Sequence, residues 1–180
     1  MDATLDRLDR LDAFVQIGQL ASRYAFAVDS RDFDALALLY LDDPGRRETV
    51  KAHFTGRLRQ FYRTIHQVCG HQIDLVDADH ARGRVYTRAE HEQGQAWIVM
   101  AVCYFDDYER RDGTWYFARR ELHQLHVTSL EDRPRAPFTP PPWAPERQRV
   151  PEAWGPSWQD FWAEVPAEKI ARLTDDPAAS

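Results

Sequence analysis

Four stretches with alternating residue character follow one another between residues 64 and 127 and are joined by very short connections. The stretches are Thr64–Val76, His80–Glu92, Gln95–Arg111 and Thr114–Val127. Connections as short as Gln93-Gly94 and Asp112-Gly113 favour hairpins, because parallel neighbours need a crossover of about a dozen residues or more. The pattern therefore predicts an antiparallel meander of four strands.

Three helical stretches precede these strands. Apolar residues recur mostly every three or four positions from Leu5 to Val28, which predicts a helix that ends near Asp29 and Ser30. Its expected apolar stripe consists of Leu5, Leu8, Leu11, Val15, Leu20, Tyr24 and Ala27. A second helix is expected over 32–41, capped by Ser30 or Asp29, and a third over 47–63. Helices followed by one antiparallel sheet predict an α+β fold with the helices on one face of the sheet.

The second predicted strand separates two faces. Its even positions from Arg82 to Glu92 are mostly charged, whereas its odd positions from Ala81 to Ala89 are small or apolar, so the odd face is expected to point inward. His91 continues the odd series into space that small side chains leave open. A buried imidazole beside a cavity is a candidate acid or base, and a hydrogen-bonded core histidine is the alternative.

The first predicted strand carries two more histidines. His66 lies on one face, and His71 is expected on the other face unless Gly70 marks a bulge. Asp29 follows the first helix, five residues after Tyr24. It either approaches the same cavity mouth or caps the next helix.

The third predicted strand is apolar on both faces, which is typical of a central strand covered on both sides. The helices of the chain provide one cover. A second subunit is the simplest other cover, so we expect a homo-oligomer.

Composition excludes several classes of protein. A net charge of -6 argues against nucleic-acid binding, and two cysteines, Cys69 and Cys103, are too few for a disulfide scaffold or a cysteine zinc site. The sequence has no phosphate-binding loop, dinucleotide fingerprint or HExxH motif, so we expect neither cofactor nor metal. It also lacks a signal peptide and an apolar run of about 18 residues, which predicts a cytoplasmic protein without membrane association.

The last fifty residues differ in composition. Nine of the eleven prolines lie between Pro134 and Pro166, and four of the six tryptophans between Trp143 and Trp162. Such aromatic surface is costly to leave in water. We therefore expect one domain over residues 1–130, followed by an extension over 131–180 that wraps the domain or a neighbouring subunit.

The order of these motifs resembles the SnoaL-like branch of the nuclear transport factor 2-like superfamily. The resemblance covers about residues 5–128 and is carried by four segments, Tyr24–Leu36, Ile65–Asp77, Gly83–His91 and Tyr108–Trp115. It implies a cone-shaped α+β barrel around an apolar pocket, commonly a homotrimer, that works without a cofactor. Related enzymes of this kind are scytalone dehydratase, bile-acid 7α-dehydratase and hexachlorocyclohexane dehydrochlorinase, which are lyases.

The resemblance also implies the site residues. The aspartate at the end of the first helix falls on Asp29, and its histidine partner falls on His66. A second histidine, from scytalone dehydratase, falls on His91, and a tyrosine of the bile-acid enzyme falls on Tyr24. Val28 replaces the tyrosine that precedes the aspartate in scytalone dehydratase. The expected substrate-binding residues are Val28, Val68, Val85, Thr87, Met100 and Tyr104.

The chain also departs from the family between the second and third helices. Only residues 42–47 are available where relatives have a strand and a loop, so one pocket wall is shortened and the extension is a candidate replacement.

These residues imply a dehydratase. His66, oriented by Asp29, is expected to take a proton next to a carbonyl, while Tyr24 or His91 donates to the carbonyl oxygen or the departing hydroxyl. The expected substrate is a hydrophobic cyclic hydroxy-carbonyl compound of the polyketide, steroid or terpenoid type, from secondary metabolism. The same base also fits an isomerase, a cyclase or a dehydrohalogenase. A non-catalytic small-molecule-binding module is the alternative outside enzymes.

Overall fold

Five helices and one four-stranded sheet make up the computed structural model, which describes residues 3–42, 45–130 and 155–174. The helices are α1 (Ala3–Asp29), α2 (Phe33–Ala37), α3 (Arg46–Leu58), α4 (Gly155–Ala163) and α5 (Ala167–Thr174). The strands are β1 (Arg63–Leu75), β2 (His80–Gln93), β3 (Ala96–Arg111) and β4 (Thr114–Leu130). The predicted α+β class is confirmed.

The strands pair in sequence order, β1-β2-β3-β4, and every pair is antiparallel. The predicted meander is therefore correct. Helix α1 packs against β1 and β4. On the inner face, which is the face toward α1, the odd positions of β2 are buried from Ala81 to His91. The even positions of β2 were expected on the outer face, and this prediction is wrong for the exposure of Glu92. Its side chain is fully buried and forms an ion pair with Arg63 (3.0 Å).

The apolar stripe of α1 is buried only in its second half. Ile17, Leu20 and Tyr24 are buried, whereas Leu8 and Leu11 are more than half exposed. The side-chain amide of Gln16 donates to the carbonyl of Gly113, in the turn between β3 and β4. Before Gln16, Ala13 is still buried and Asp9 pairs with Arg110 of β3 (2.8 Å), but the apolar side chains of Leu8 and Leu11 lie on the open side of the helix.

The second helix is capped differently from the prediction. The side chain of Asp32, rather than Asp29 or Ser30, accepts from the backbone N–H of Ala35 (2.9 Å). The helix also ends at Ala37 because the next residues pair with β4: the backbone N–H of Phe117 donates to the carbonyl of Leu39 (2.9 Å). Asp29 is thereby left available for another contact.

A bulge in β1 changes the face on which its second histidine lies. The pairing with β2 shifts register between Val68 and Gly70, so His71 shares the inner face with His66. His71 Nε2 lies 2.9 Å from the hydroxyl of Tyr108. The expectation that His71 lies on the other face is therefore wrong, because the bulge given as its exception is present, with Cys69 next to Gly70 left unpaired.

The outer face of the sheet is partly open within one chain. Trp97, Val99 and Cys103 on β3 are buried, but Phe105 and the neighbouring Tyr86 are 44% and 58% exposed. The homotrimer implied by the resemblance stays a prediction. No helix in the described part of the chain is long and apolar enough to cross a membrane.

Helix α4 of the C-terminal extension packs on the helical side of the domain, whereas α5 contacts β2. Phe161 of α4 contacts Phe33 of α2, and Trp162 contacts Tyr62. Trp143 and Trp154 of the extension, together with residues 175–180, lie outside the described residues. The division into a domain and an extension stays a prediction.

Adding a methyl group at Gly83 should destabilise the fold. The small residues of β2 were expected to leave space, but a Cβ on Gly83 would lie 2.8 Å from Cε2 of Tyr108 and 2.9 Å from the carbonyl oxygen of Gln72. We expect Gly83→Ala to lower the free energy of unfolding by about 1–3 kcal/mol, measured by urea denaturation.

The matched control for this prediction is Gly56→Ala. Gly56 lies inside α3 with open space around it, so this change should instead raise stability by roughly 0.5–1 kcal/mol. Equal effects of the two substitutions would contradict the packing argument.

Candidate active site

The last residue of α1 and the fourth residue of β1 form a buried pair. Nδ1 of His66 lies 2.7 Å from Oδ1 of Asp29, and the side chains are 7% and 9% exposed. Two further donors reach the same carboxylate: the backbone N–H of His66 donates to Oδ2 (2.8 Å), and the hydroxyl of Thr64 donates to Oδ1 (2.8 Å). The structure thus brings together the two residues that the resemblance implied as a pair.

The hydrogen-bond pattern selects one tautomer of the neutral imidazole. An ionised carboxylate only accepts, so the Nδ1 atom of His66 carries the proton that is donated to Asp29. Nε2 then keeps its lone pair and is the basic atom. A cleft of about 250 Å³ meets the pair, lined by Ser22, Ala25, Phe26, Asp29, His66 and Val68. The arrangement can therefore accept a proton from a ligand in that cleft.

His91 lies beside this pair. Its ring centroid is 5.7 Å from that of His66 and 4.6 Å from that of Phe61. Burial, followed by the charge of a protonated His66, lowers the pKa of His91 to about 3. The ring is therefore neutral near pH 7 and retains one N–H donor.

Tyr24 lies in a different group of side chains. Its ring packs edge-on against Tyr104 and Phe117, and the guanidinium of Arg120 sits 4.1 Å above it. Burial raises the pKa of Tyr24 well above its ordinary value, so the hydroxyl stays protonated. None of the contacts described for Tyr24 reaches Asp29 or His66.

The six expected substrate-binding residues are not equally accessible. Val68 is 37% exposed and lines the cleft next to His66. Met100 is partly buried. The other four are buried in the chain, namely Val28, Val85, Thr87 and Tyr104.

The interior also holds a charged pair that was not predicted from the sequence. The side chains of Arg120 and Asp106 are 4% and 0% exposed, with Nε and Oδ1 3.4 Å apart. Burial raises the pKa of Asp106 to about 6, although Arg120 opposes this change, and Tyr108 donates a hydrogen bond to the same carboxylate. Asp106 lies opposite Gly83, which is on the inner face of β2. An acidic residue paired with an inward-facing glycine is the sequence feature that could have indicated this buried charge.

Arg31 and Thr64 were also missed. Arg31 is 2% exposed and its φ is 63°, in the left-handed region that few residues other than glycine adopt. Its Nη1 donates to the hydroxyl of Thr64 (2.7 Å). Their role depends on contacts between distant segments, so no local pattern indicates it.

Among the residues that the structure describes, no group of three or more histidine, cysteine, aspartate or glutamate side chains is placed to hold a metal ion.

Comparisons with known proteins agree with this architecture. Residues 9–121 match the SnoaL-like domain family. The chain is 29% identical over 136 residues to the γ-hexachlorocyclohexane dehydrochlorinase of Sphingobium indicum, which covers 68% of this chain and 87% of that protein.

Two solved structures extend the comparison. The hexachlorocyclohexane dehydrochlorinase LinA-type3 of Novosphingobium barchaimii is 26% identical, has a TM-score of 0.62, and covers 75% of this chain and 99% of its own. A scytalone dehydratase-like protein from Novosphingobium aromaticivorans is 25% identical, has a TM-score of 0.61, and covers 73% and 98%. The curved sheet with its helices thus matches the cone fold of these proteins.

Replacing His91 by glutamine should make the fold less sensitive to acid. The pKa of His91 is about 3 when folded, against an ordinary value of about 6.5 in the unfolded chain. Between these values the unfolded chain binds more protons, so stability falls as the pH falls, by up to about 1.4 kcal/mol per pH unit.

Urea denaturation of the wild type and His91→Gln at about pH 7.5 and about pH 5.5 measures this effect. Asp106 and His71 titrate in both proteins, so their contributions cancel in the difference. The prediction is wrong if both proteins lose the same stability over this interval.

Proposed function

Since the chain belongs to the SnoaL-like domain family of the nuclear transport factor 2-like superfamily, we propose that it is a lyase whose general base is His66, oriented by Asp29. The observation that carries the proposal is the buried 2.7 Å contact between Nδ1 of His66 and Oδ1 of Asp29, beside an open cleft. The relatives named as a dehydrochlorinase and as scytalone dehydratase-like support an elimination reaction.

The proposed step begins with proton transfer to Nε2 of His66. Asp29 holds the ring in one tautomer and stabilises the imidazolium as it forms. A base held in this way contributes about 10²–10⁴-fold to the rate. The shielding of the pair from water strengthens both interactions.

The leaving group needs a proton or a hydrogen bond. We assign this donor to His91, because its neutral ring lies nearly perpendicular to that of His66, with the ring centroids 5.7 Å apart. The bond from the acidic carbon to hydrogen breaks, a carbon–carbon double bond forms, and the carbon–oxygen bond to the hydroxyl breaks. The departing oxygen receives the proton that His66 took from carbon and leaves as water, while His91 donates a hydrogen bond to it. Tyr24 is the alternative donor for a substrate that reaches deeper, toward Arg120.

The substrate that we propose is a hydrophobic cyclic hydroxy-carbonyl compound of the polyketide, steroid or terpenoid type. Ala25, Phe26 and Val68 give the cleft apolar walls beside His66. A carbonyl next to the reacting carbon makes that proton acidic enough for an imidazole base. Dehydration then gives a conjugated ketone.

Dehydrohalogenation is the second candidate. It is favoured by the relatives named as hexachlorocyclohexane dehydrochlorinases, at 27–29% identity. The same proton transfer serves both reactions, and only the departing group differs. An isomerase or a cyclase would use this base without net loss of water or halide.

Substitution of either member of the pair should abolish turnover. We expect His66→Gln and Asp29→Asn each to lower kcat by about 10²–10⁴-fold while substrate affinity changes little. Turnover is followed by ultraviolet absorbance of the conjugated product with cyclic hydroxy-ketones, and by chloride release with chlorinated cyclohexanes. Affinity is measured by calorimetry.

A second histidine–aspartate pair provides the matched control. Nδ1 of His80 lies 2.9 Å from Oδ1 of Asp77, but both side chains are 56% exposed. His80→Gln and Asp77→Asn should leave kcat unchanged. A wild type that binds these compounds without converting them, with binding lost equally in the variants, would support a binding module and overturn the proposal.

A further inference from the structure

We propose that helix α4 of the C-terminal extension positions the Asp29–His66 pair, acting through Arg31 and Thr64. This inference rests on the proposed function and adds positioning residues to it. Three side chains of α4, namely those of Ser157, Trp158 and Phe161, contact the loop that follows α1.

The first link is the hydroxyl of Thr64. Nη1 of Arg31 donates to this oxygen (2.7 Å), and the hydroxyl donates to Oδ1 of Asp29 (2.8 Å). An arginine has no acceptor, so the single proton of Thr64 is directed to the carboxylate. Arg31 therefore fixes the direction of the hydrogen bond that holds Asp29.

The second link is the fixation of Arg31 itself. Its guanidinium donates to the carbonyls of Val28 (2.8 Å), Phe61 (3.2 Å) and Tyr62 (3.4 Å). These carbonyls belong to the end of α1 and to the segment that leads into β1. One side chain thus joins the two elements that carry Asp29 and His66.

The third link is α4. The guanidinium carbon of Arg31 lies 5.0 Å from the ring centroid of Trp158 and 5.6 Å from that of Phe161. The hydroxyl of Ser157 donates to the carbonyl of Ser30 (3.1 Å). Aromatic rings over a desolvated guanidinium stabilise the cation and restrict its position. Without α4, one side of Arg31 would face water.

Helix α4 lies outside the part of the chain that matches the family domain. Residues 155–163 lie beyond residues 9–121, which match the family domain. Asp29, Arg31 and Thr64 all lie inside that match. The extension therefore contacts the family domain directly behind its reactive pair.

The test uses the full chain with Trp158→Leu, Thr64→Val and Thr64→Ser. We expect Thr64→Val to lower kcat by about tenfold with little change in KM, because one hydrogen bond to a charged group is lost. Thr64→Ser should restore most of the rate. Trp158→Leu should lower kcat in the same way, by roughly threefold, through a weakened contact with Arg31.

A spectroscopic signal separates positioning from mere stability. The proton on Nδ1 of His66 is followed by NMR with labelled histidine. We expect it to exchange with water faster in Trp158→Leu and Thr64→Val than in the wild type. The matched control is Trp162→Leu on the same helix. Its ring is the same size and contacts Tyr62, Trp158 and Phe161, but it has no described contact with Arg31.

The outcomes distinguish this inference from the proposed function. If Trp158→Leu and Thr64→Val match Trp162→Leu in both proton exchange and kcat, the positioning role is wrong. If exchange rises only in Trp158→Leu and Thr64→Val but no substrate is converted by the wild type, positioning is supported and the elimination proposal fails. Thr64→Val leaves α4 intact, so a Trp158 variant that does not fold still leaves the first link testable.

Discussion

A carboxylate at the carboxyl-terminal end of a long helix is the constraint on which the site depends. Asp29 closes the 27-residue α1, where the helix dipole disfavours negative charge. The fold compensates with donors from β1, because Thr64 and His66 together give this carboxylate three hydrogen bonds. Arg31 adds positive charge where the last carbonyls of α1 need donors. The hydrogen bonds that offset the unfavourable position of the Asp29 charge therefore also orient His66.

The strand region could be predicted from the sequence because its signals are local. The alternation of small or apolar and charged residues in β2 defines the inner face, and connections of two residues favour hairpins. The exposure of Leu8 could not be predicted in this way, since periodicity shows which residues share a helix face but not which of them another element covers. The cap of α2 was wrong for a related reason: Asp29 and Asp32 are both acceptable caps, and only the contact with β1 decides between them.

The site could be predicted only as far as the family resemblance extended. It implied Asp29 and His66 as a pair, and the structure places them in contact. Arg31, Thr64 and Arg120 have no such signature, because each becomes important through partners more than thirty residues away or through burial beneath several rings. A buried charge is costly to desolvate and must find partners. Those partners come from tertiary packing, which a pattern along the chain does not describe.

The two histidine–aspartate pairs show why environment rather than distance makes a base. His80 and Asp77 are as close as His66 and Asp29 within about 0.2 Å, yet they lie three residues apart in an open turn. Water competes for every group of that exposed pair and screens its charges. Around Asp29, α1 and β1 exclude most of the water, while α4 covers Arg31 and packs on Phe33 of α2. Helix α4 thus packs on the side of the domain that carries Asp29, and its aromatic rings keep water from the guanidinium that anchors the end of α1.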